Sequence, residues 1–148
     1  RRGVVRGREG IRDAGNVGAV CRTGLALGAT GVIALPGTAD LWNPKALRGS
    51  MGALFRLPAV HLAAEELAEW AHRHGVSLWA TGSGGRPVTS VPVPGPVALV
   101  LGNEGAGITP ELAASAAETV SIPLQGGVES LNVAVAGGIL LHEVTRDR

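Results

Sequence analysis

The sequence predicts an α/β fold: a mostly parallel sheet with helices on both faces. The first observation behind this is a set of short, continuously apolar runs at residues 31–35, 76–80 and 97–101. A strand buried on both faces carries no polar alternation. The second is that segments with helical periodicity separate these runs, the order expected of strand–helix–strand units. The third is that polar or glycine-rich stretches follow the strands, at 81–85, 102–107 and 124–132. Ligands of parallel sheets sit beyond the carboxyl ends of the strands, so the convergence of these three stretches is the expected site.

Taken in order, Val4-Val5 reads as what is left of a first strand, followed by the turn-rich Arg12-Asp13-Ala14-Gly15. Asn16 caps a helix that runs to about Leu27 and is closed by Gly28. Residues 31–35 form a buried strand, and Asn43-Pro44 opens a short helix with proline at its first position. Residues 55–60 form another short strand, confined by Pro58 to an edge or irregular segment. Residues 62–74 make a helix with Glu65, Glu66 and Glu69 on a solvated face, stopped by Gly75. Its inward stripe is Leu62, Leu67, Trp70 and Ala71. The strand 76–80 leads into a loop at 81–85, and 87–96 is a proline-rich connection. Strand 97–101 leads into the glycine loop 102–107, Pro110 starts an alanine-rich helix, and 120–122 is the last strand. From Leu131 a closing helix is apolar nearly all round, so it is buried on most sides. Its Gly137-Gly138 pair costs about 1 kcal/mol per glycine relative to alanine, which calls for tight contact with another element or subunit.

A chain of 148 residues, 45% apolar, bounds one domain with a substantial core. No apolar run approaches the ~20 residues of a membrane span. The single cysteine, Cys21, excludes an internal disulfide and suits a reducing cytosol, so a cytoplasmic location is expected. The chain begins with Arg1 rather than Met, the beginning expected of a fragment. Net charge is only +1, but Arg1, Arg2, Arg6, Arg8, Arg12 and Arg22 crowd the first 22 residues. That basic edge either meets phosphates or is a solvated tail. His61, His72, His74 and His142 do not cluster with Cys21 as metal ligands would, and no metal is expected. Ser130 has no evident His and Asp partners for a hydrolase triad.

Three constellations can carry chemistry. In Asn16-Val-Gly-Ala-Val-Cys-Arg22 a long side chain at 22 leans back over Gly18, which has no side chain to obstruct it. Arg22 can therefore bring its guanidinium toward the helix start; the plain alternative is a cap and a surface charge. Gly102-Asn-Glu-Gly-Ala-Gly107 follows a buried strand and lets a ligand approach the backbone. Its spacing matches neither a dinucleotide fingerprint nor a P-loop, and Glu104 could pair with Arg22. Finally Glu129, Ser130 and Asn132 stand at a helix start beside a hydrophobic wall, a place for a ligand with polar and apolar parts.

Together, Asn16-x-Gly-x-x-x-Arg22, Leu99-Val-Leu-Gly-Asn-Glu-Gly-x-Gly-Ile108 and Ile122-Pro-Leu with Glu129-Ser-Leu-Asn-Val-Ala-Val-Ala136 resemble, in order, the three motifs of the SpoU (TrmH) family. These are AdoMet-dependent RNA 2′-O-ribose methyltransferases of the SPOUT superfamily. The resemblance spans roughly residues 10 to 143. It implies that residues 1–148 are a catalytic domain whose C-terminal part is a deep trefoil knot, an exception to unknotted chains. It also implies a homodimer, with S-adenosylmethionine bent inside the knot and the site near the dimer interface. By this resemblance, backbone around Leu101, Gly102, Ile122 and Leu131 holds the cofactor, Thr81 and Gly82 line its adenine side, and Asn132 borders it.

The same resemblance assigns Asn16, Arg22, Glu104, Ser130 and Asn132 to catalysis and ribose placement on an rRNA or tRNA. Arginine is always protonated and makes an awkward base. Arg22 is therefore expected to bind the ribose or adjacent phosphate and polarise the hydroxyl, held by Glu104 and Asn16. Many family members carry an N-terminal RNA-binding domain, and the expectation is that one is missing here. The competing readings are a knotted methyltransferase acting on a tRNA base and a non-catalytic RNA-binding or dimerisation module.

Overall fold

The computed structural model describes residues 4–8, 11–102 and 109–146. Among them are six strands: β1 (Val4–Arg8), β2 (Gly31–Ala34), β3 (Ala59–His61), β4 (Ser77–Pro87), β5 (Val97–Leu101) and β6 (Glu118–Ser121). The helices are α1 (Ala14–Ala26), α2 (Pro44–Gly49), α3 (Ala64–His74), α4 (Pro110–Ser115) and α5 (Val133–Thr145). The strands form one sheet in the order β3-β2-β1-β5-β4-β6, and every pairing is parallel. What reads from sequence as the remnant Val4-Val5 is therefore a central strand, hydrogen-bonded on both sides.

Alternation along the strands sorts the core into two layers, because successive side chains point to opposite faces. Val97, Leu99 and Leu101 of β5 join Val32, Ala34 and Trp79 under α1, α2 and α5. Ala98 and Val100 join Ile33, Leu35 and Leu78 under Leu67 and Ala71 of α3 and Leu112 of α4. All five β5 side chains are buried, which is why that run is apolar throughout.

Local signals set the helix ends. Gly28 takes φ +89° after α1; its N–H bonds Leu25 O at 3.3 Å and that of Ala29 bonds Gly24 O at 2.8 Å. This is a Schellman closure, which uses the freedom of glycine at positive φ. Asn43 caps α2 by accepting from Lys45 N, with Pro44 at the first position. Helix α3 begins at Ala64 rather than Leu62, whose N–H pairs instead with Ala34 O. Glu66 is not simply solvated: its carboxylate accepts from Ala63 N at 2.9 Å, half of a capping box, since alanine has no acceptor to complete it.

Three readings need correction. Asn16 does not cap α1. Asp13 does, accepting from Gly15 N at 2.8 Å and Asn16 N at 3.2 Å, so residues 14–15 are helical and Asn16 lies in the first turn. Residues 81–85 are not a loop after a finished strand. β4 runs on to Pro87, with Thr81 and Arg86 both opposite Val120, and residues 82–85 bulge between them. Gly85 is pressed onto β6 so tightly that a Cβ there would lie 2.7 Å from Thr119 O. The last strand is Glu118–Ser121, starting two residues and ending one residue earlier than read from sequence.

The cost of Gly138 has a physical reason inside the chain. A Cβ at Gly138 would meet the Thr23 methyl at 3.1 Å, so the small residue lets α5 lie close on α1.

Candidate active site

At the carboxyl ends of β5 and β6, and where β4 enters its bulge, lies a cavity of about 720 Å³, within the usual range for small-molecule sites. β4 contributes Thr81, Gly82 and Ser83, and β5 contributes Leu101 with Gly102 behind it. The chain after β6 supplies Ile122 and then Glu129, Ser130 and Leu131, while Val133, Ala136 and Leu140 of α5 form an apolar back wall. One side is thus hydrocarbon and the other hydroxyl, carboxylate and backbone. Two hydroxyls near the cavity are already engaged, Thr81 Oγ1 donating to Val100 O and Ser121 Oγ to Gly85 O, each at 2.8 Å. These bonds tie β4 to both neighbours and keep the cavity's strand edge in register.

Beside the cavity, Asn132 caps α5. Its Oδ1 accepts from Ala134 N at 2.8 Å and Val135 N at 3.3 Å. The expectation that Asn132 lies inside the helix is corrected: the helix starts at Val133, after a non-helical backbone at 132. Because Oδ1 is committed to two N–H groups, the amide nitrogen must face the other way, where it donates to Asn16 Oδ1 at 3.2 Å. Two motifs far apart in the chain therefore meet side chain to side chain. The same bond fixes Asn16: its oxygen faces Asn132, and its NH₂ remains for another acceptor.

Helical spacing puts α1 to two uses. Asn16 and Thr23 lie on one stripe, toward α5, where Thr23 meets Gly138. Gly15, Gly18 and Arg22 lie on the neighbouring stripe, toward α2. A Cβ at Gly18 would collide with Ala46 O and with Gly49 C and Ser50 N at 2.7 Å, so α1 and α2 touch backbone to backbone there. Arg22 stands exposed one turn beyond Gly18. The first turn of α1 is electrostatically tuned as well. Hydrogen bonds from Asn16 N and Gly15 N, with Lys45 nearby, hold the Asp13 carboxyl below its usual range.

Of the residues expected from sequence, Thr81, Gly82, Leu101, Gly102, Ile122, Ser130 and Leu131 line the cavity. Asn16 and Asn132 are joined beside it, and Asn16 bonds Asn132 rather than Arg22. Glu104 lies outside the described residues. Reading by motif missed Ser83 and the back wall of Val133, Ala136 and Leu140; the wall was legible as the apolar face of α5, but its role needs the fold. Among the described residues no group of three or more His, Cys, Asp or Glu could hold a metal ion. No helix there is long and apolar enough to cross a membrane.

A model of the SpoU rRNA methylase family matches residues 7–142. The chain is 36% identical over 137 residues to the 23S rRNA (guanosine(2553)-2′-O)-methyltransferase RlmP of Bacillus subtilis, covering 92% of this chain and 55% of that protein. It is also 36% identical over 141 residues to a 23S rRNA (uridine(2479)-2′-O)-methyltransferase of Streptomyces viridochromogenes, covering 90% of this chain and 49% of that protein. The structure of an AdoMet-bound rRNA methyltransferase from Sinorhizobium meliloti superposes with a TM-score of 0.92 at 34% identity, over 97% of this chain and 56% of that one. The chain thus spans about half the length of the relatives it matches.

Proposed function

The chain belongs to the SpoU rRNA methylase family, and on that premise we propose that it transfers a methyl group from S-adenosylmethionine to a ribose 2′-hydroxyl of RNA. The observation that carries this is the Asn132–Asn16 hydrogen bond. It links the helix that walls the cavity to the helix that bears Arg22. Ligand and nucleophile must be held in line for such a transfer, and positioning is the main catalytic task.

The cavity suits the cofactor: it is of small-molecule size, apolar along α5 and polar along β4, and Glu129 offers a carboxylate to a cationic ligand. Gly102 lets a ligand approach the end of β5, and Thr81, Gly82, Leu101, Ile122 and Leu131 would hold it. When bound, AdoMet supplies an electrophilic methyl group on a sulfonium. The remaining tasks fall to this chain. Arg22 binds the ribose or its phosphate and polarises the hydroxyl, whose proton passes to water as its oxygen takes the methyl; Asn16 and Asn132, locked together, position the sugar beside the cavity; and Ser130 contributes a hydroxyl on its rim. Glu104, outside the described residues, is the acid this reading assigns to the guanidinium.

The same reading takes the C-terminal part as a trefoil knot. In its support, β6 is an edge strand, yet α5 packs on α1 and β5 near the sheet's centre, so residues 122–132 return across the strand ends. A homodimer is supported by Val135 and Ile139, exposed one turn apart on α5, and by exposed Leu124 and Val128 in the preceding segment. The RNA is rRNA or tRNA and the setting cytoplasmic.

Incubation of RNA with the protein and AdoMet, followed by nucleoside digestion and mass spectrometry, tests the proposal. A 2′-O-methylated nucleoside is expected. A base-methylated nucleoside, or a folded protein that binds no AdoMet by calorimetry, would overturn it.

A further inference from the structure

Away from the cavity, three large apolar side chains face solvent on one short stretch. Trp42 is 48% exposed, Met51 71% and Phe55 75%. Single exposed apolar residues need no explanation, but two aromatics and a methionine along one stretch mark a place where something binds. The backbone holds them out. Asp40 accepts from Trp42 N at 3.1 Å in an Asx turn that leads into α2. At the other end of α2, about 9 Å along the axis, Met51 takes φ 52°, the one positive-φ residue other than glycine among the described residues. Gly52 follows at φ +87°, and a 3₁₀ turn at Ala53–Phe55 then presents Phe55. Ser50, fully buried, fastens this corner: its Oγ donates to Leu47 O at 2.8 Å and accepts from Leu54 N at 3.5 Å.

Charge says what kind of partner fits. From Leu41 to Ala64 the chain has no Asp or Glu, while Lys45, Arg48 and Arg56 are all exposed. Of the acids among the described residues, Asp13 lies beside Lys45, and Asp40 has its carboxylate 3.5 Å from His61 Nε2. Arg48 and Arg56 add positive charge beyond these pairs. Cations interleaved with aromatic faces are the composition that receives single-stranded nucleic acid, bases stacking and phosphates pairing. Location agrees, because α2 rests on the Gly15–Gly18 stripe of α1, the stripe that continues to Arg22.

We propose that Trp42, Met51 and Phe55 with Lys45, Arg48 and Arg56 form a docking strip for unpaired RNA nucleotides flanking the one whose ribose is methylated. The bases lie on Trp42 and Phe55, Met51 adds apolar surface, and the cations hold the phosphates. The strip deepens the reading of RNA as substrate and rests on it. It requires a substrate that is single-stranded around its target, since a duplex hides its base faces.

The test is fluorescence anisotropy with an unpaired RNA oligonucleotide and with a blunt RNA duplex, both without AdoMet. Trp42→Ala and Phe55→Ala are each expected to weaken binding of the single strand about 5- to 100-fold and to leave duplex binding nearly unchanged. Arg48→Ala and Arg56→Ala should each lower the slope of log Kd against log salt by about 0.7. Trp42→Phe, which keeps a ring, should restore most of the affinity, and Phe55→Leu, which keeps apolar bulk without a ring, should not. Unchanged single-strand binding in the aromatic variants overturns the strip. So does a fall from dimer to monomer in sedimentation with RNA affinity intact, which would make the patch an interface between copies. AdoMet calorimetry on the same samples separates this outcome from failure of the methyltransferase reading, because the strip is judged without cofactor.

Discussion

The side-chain nitrogen of Asn132 donates to Oδ1 of Asn16 at 3.2 Å, across 116 positions of sequence. Asn132 can do so only because its own oxygen is spent capping α5. One amide thus fixes both the start of the helix that walls the cavity and the orientation of the first polar residue on the Arg22 helix. Asn132→Ala should lose the cap and about 1 kcal/mol of stability in urea unfolding. Asn132→Asp keeps a capping oxygen, so its stability should stay within about 0.5 kcal/mol. Its turnover should still fall at least about 10-fold, because Asn16 must turn its amide round to meet a carboxylate and loses its free NH₂. Equal turnover in Asn132→Asp and wild type would remove the bond from the mechanism.

Arg22 is exposed, so replacing it should not disturb folding. Arg22→Lys keeps the charge and loses the planar fork. If the guanidinium grips ribose or phosphate with two donors, kcat should drop by about 100-fold while Tm is unchanged. Retention of near-full turnover by the lysine variant would rule out two-donor positioning.

Two glycines that look alike in sequence should respond differently to alanine. At Gly18 the new Cβ meets only backbone, that of Ala46, Gly49 and Ser50, and neither α1 nor α2 can yield. A loss of about 2–3 kcal/mol or more is expected. At Gly138 the Cβ meets the end of the Thr23 side chain at 3.1 Å, which can turn aside. The gain of about 1 kcal/mol in helix propensity should then leave Gly138→Ala within about 1 kcal/mol of wild type. Urea denaturation of both variants checks the contrast.

Asp13 gives a pH signature. Its carboxyl sits below the usual range because it accepts from Asn16 N and Gly15 N and lies near Lys45. A lowered folded-state pKa contributes stability that is present above the unfolded value and lost as pH falls through the folded one. The stability gap between wild type and Asp13→Ala should therefore be constant at neutral pH and narrow below about pH 4. A gap that widens in acid would contradict the capping geometry.

Much of the architecture was legible because its signals are local. The unbroken apolar run 97–101 announced a doubly covered strand, Pro44 and Gly75 marked helix ends, and the polar stretches beginning at Thr81, Gly102 and Leu124 pointed to where the cavity lies. What was misread depends on contacts between distant segments. Asp13 and Asn16 are both good caps, and a choice between them is not written locally; α1 rests on α2 through Gly15 and Gly18, just beyond Asp13. Thr81 to Gly85 has the composition of a loop, yet β6 lies close enough for Gly85 to press on Thr119 and carry the strand past a bulge. Asn132 sits in an apolar run and is recognisable as a cap only once its own non-helical backbone is known. The strip at Trp42, Met51 and Phe55 was invisible for the opposite reason: apolar residues in a sequence read as core, and only the fold exposes them.

The most direct measurement is alkaline hydrolysis of RNA after incubation with the protein and methyl-labelled AdoMet. A 2′-O-methyl group blocks cleavage at its own phosphodiester, so label should appear in an alkali-resistant dinucleotide and vanish with Arg22→Ala. Label released in alkali-labile mononucleotides, or undiminished in the Arg22→Ala protein, would contradict ribose methylation at this site.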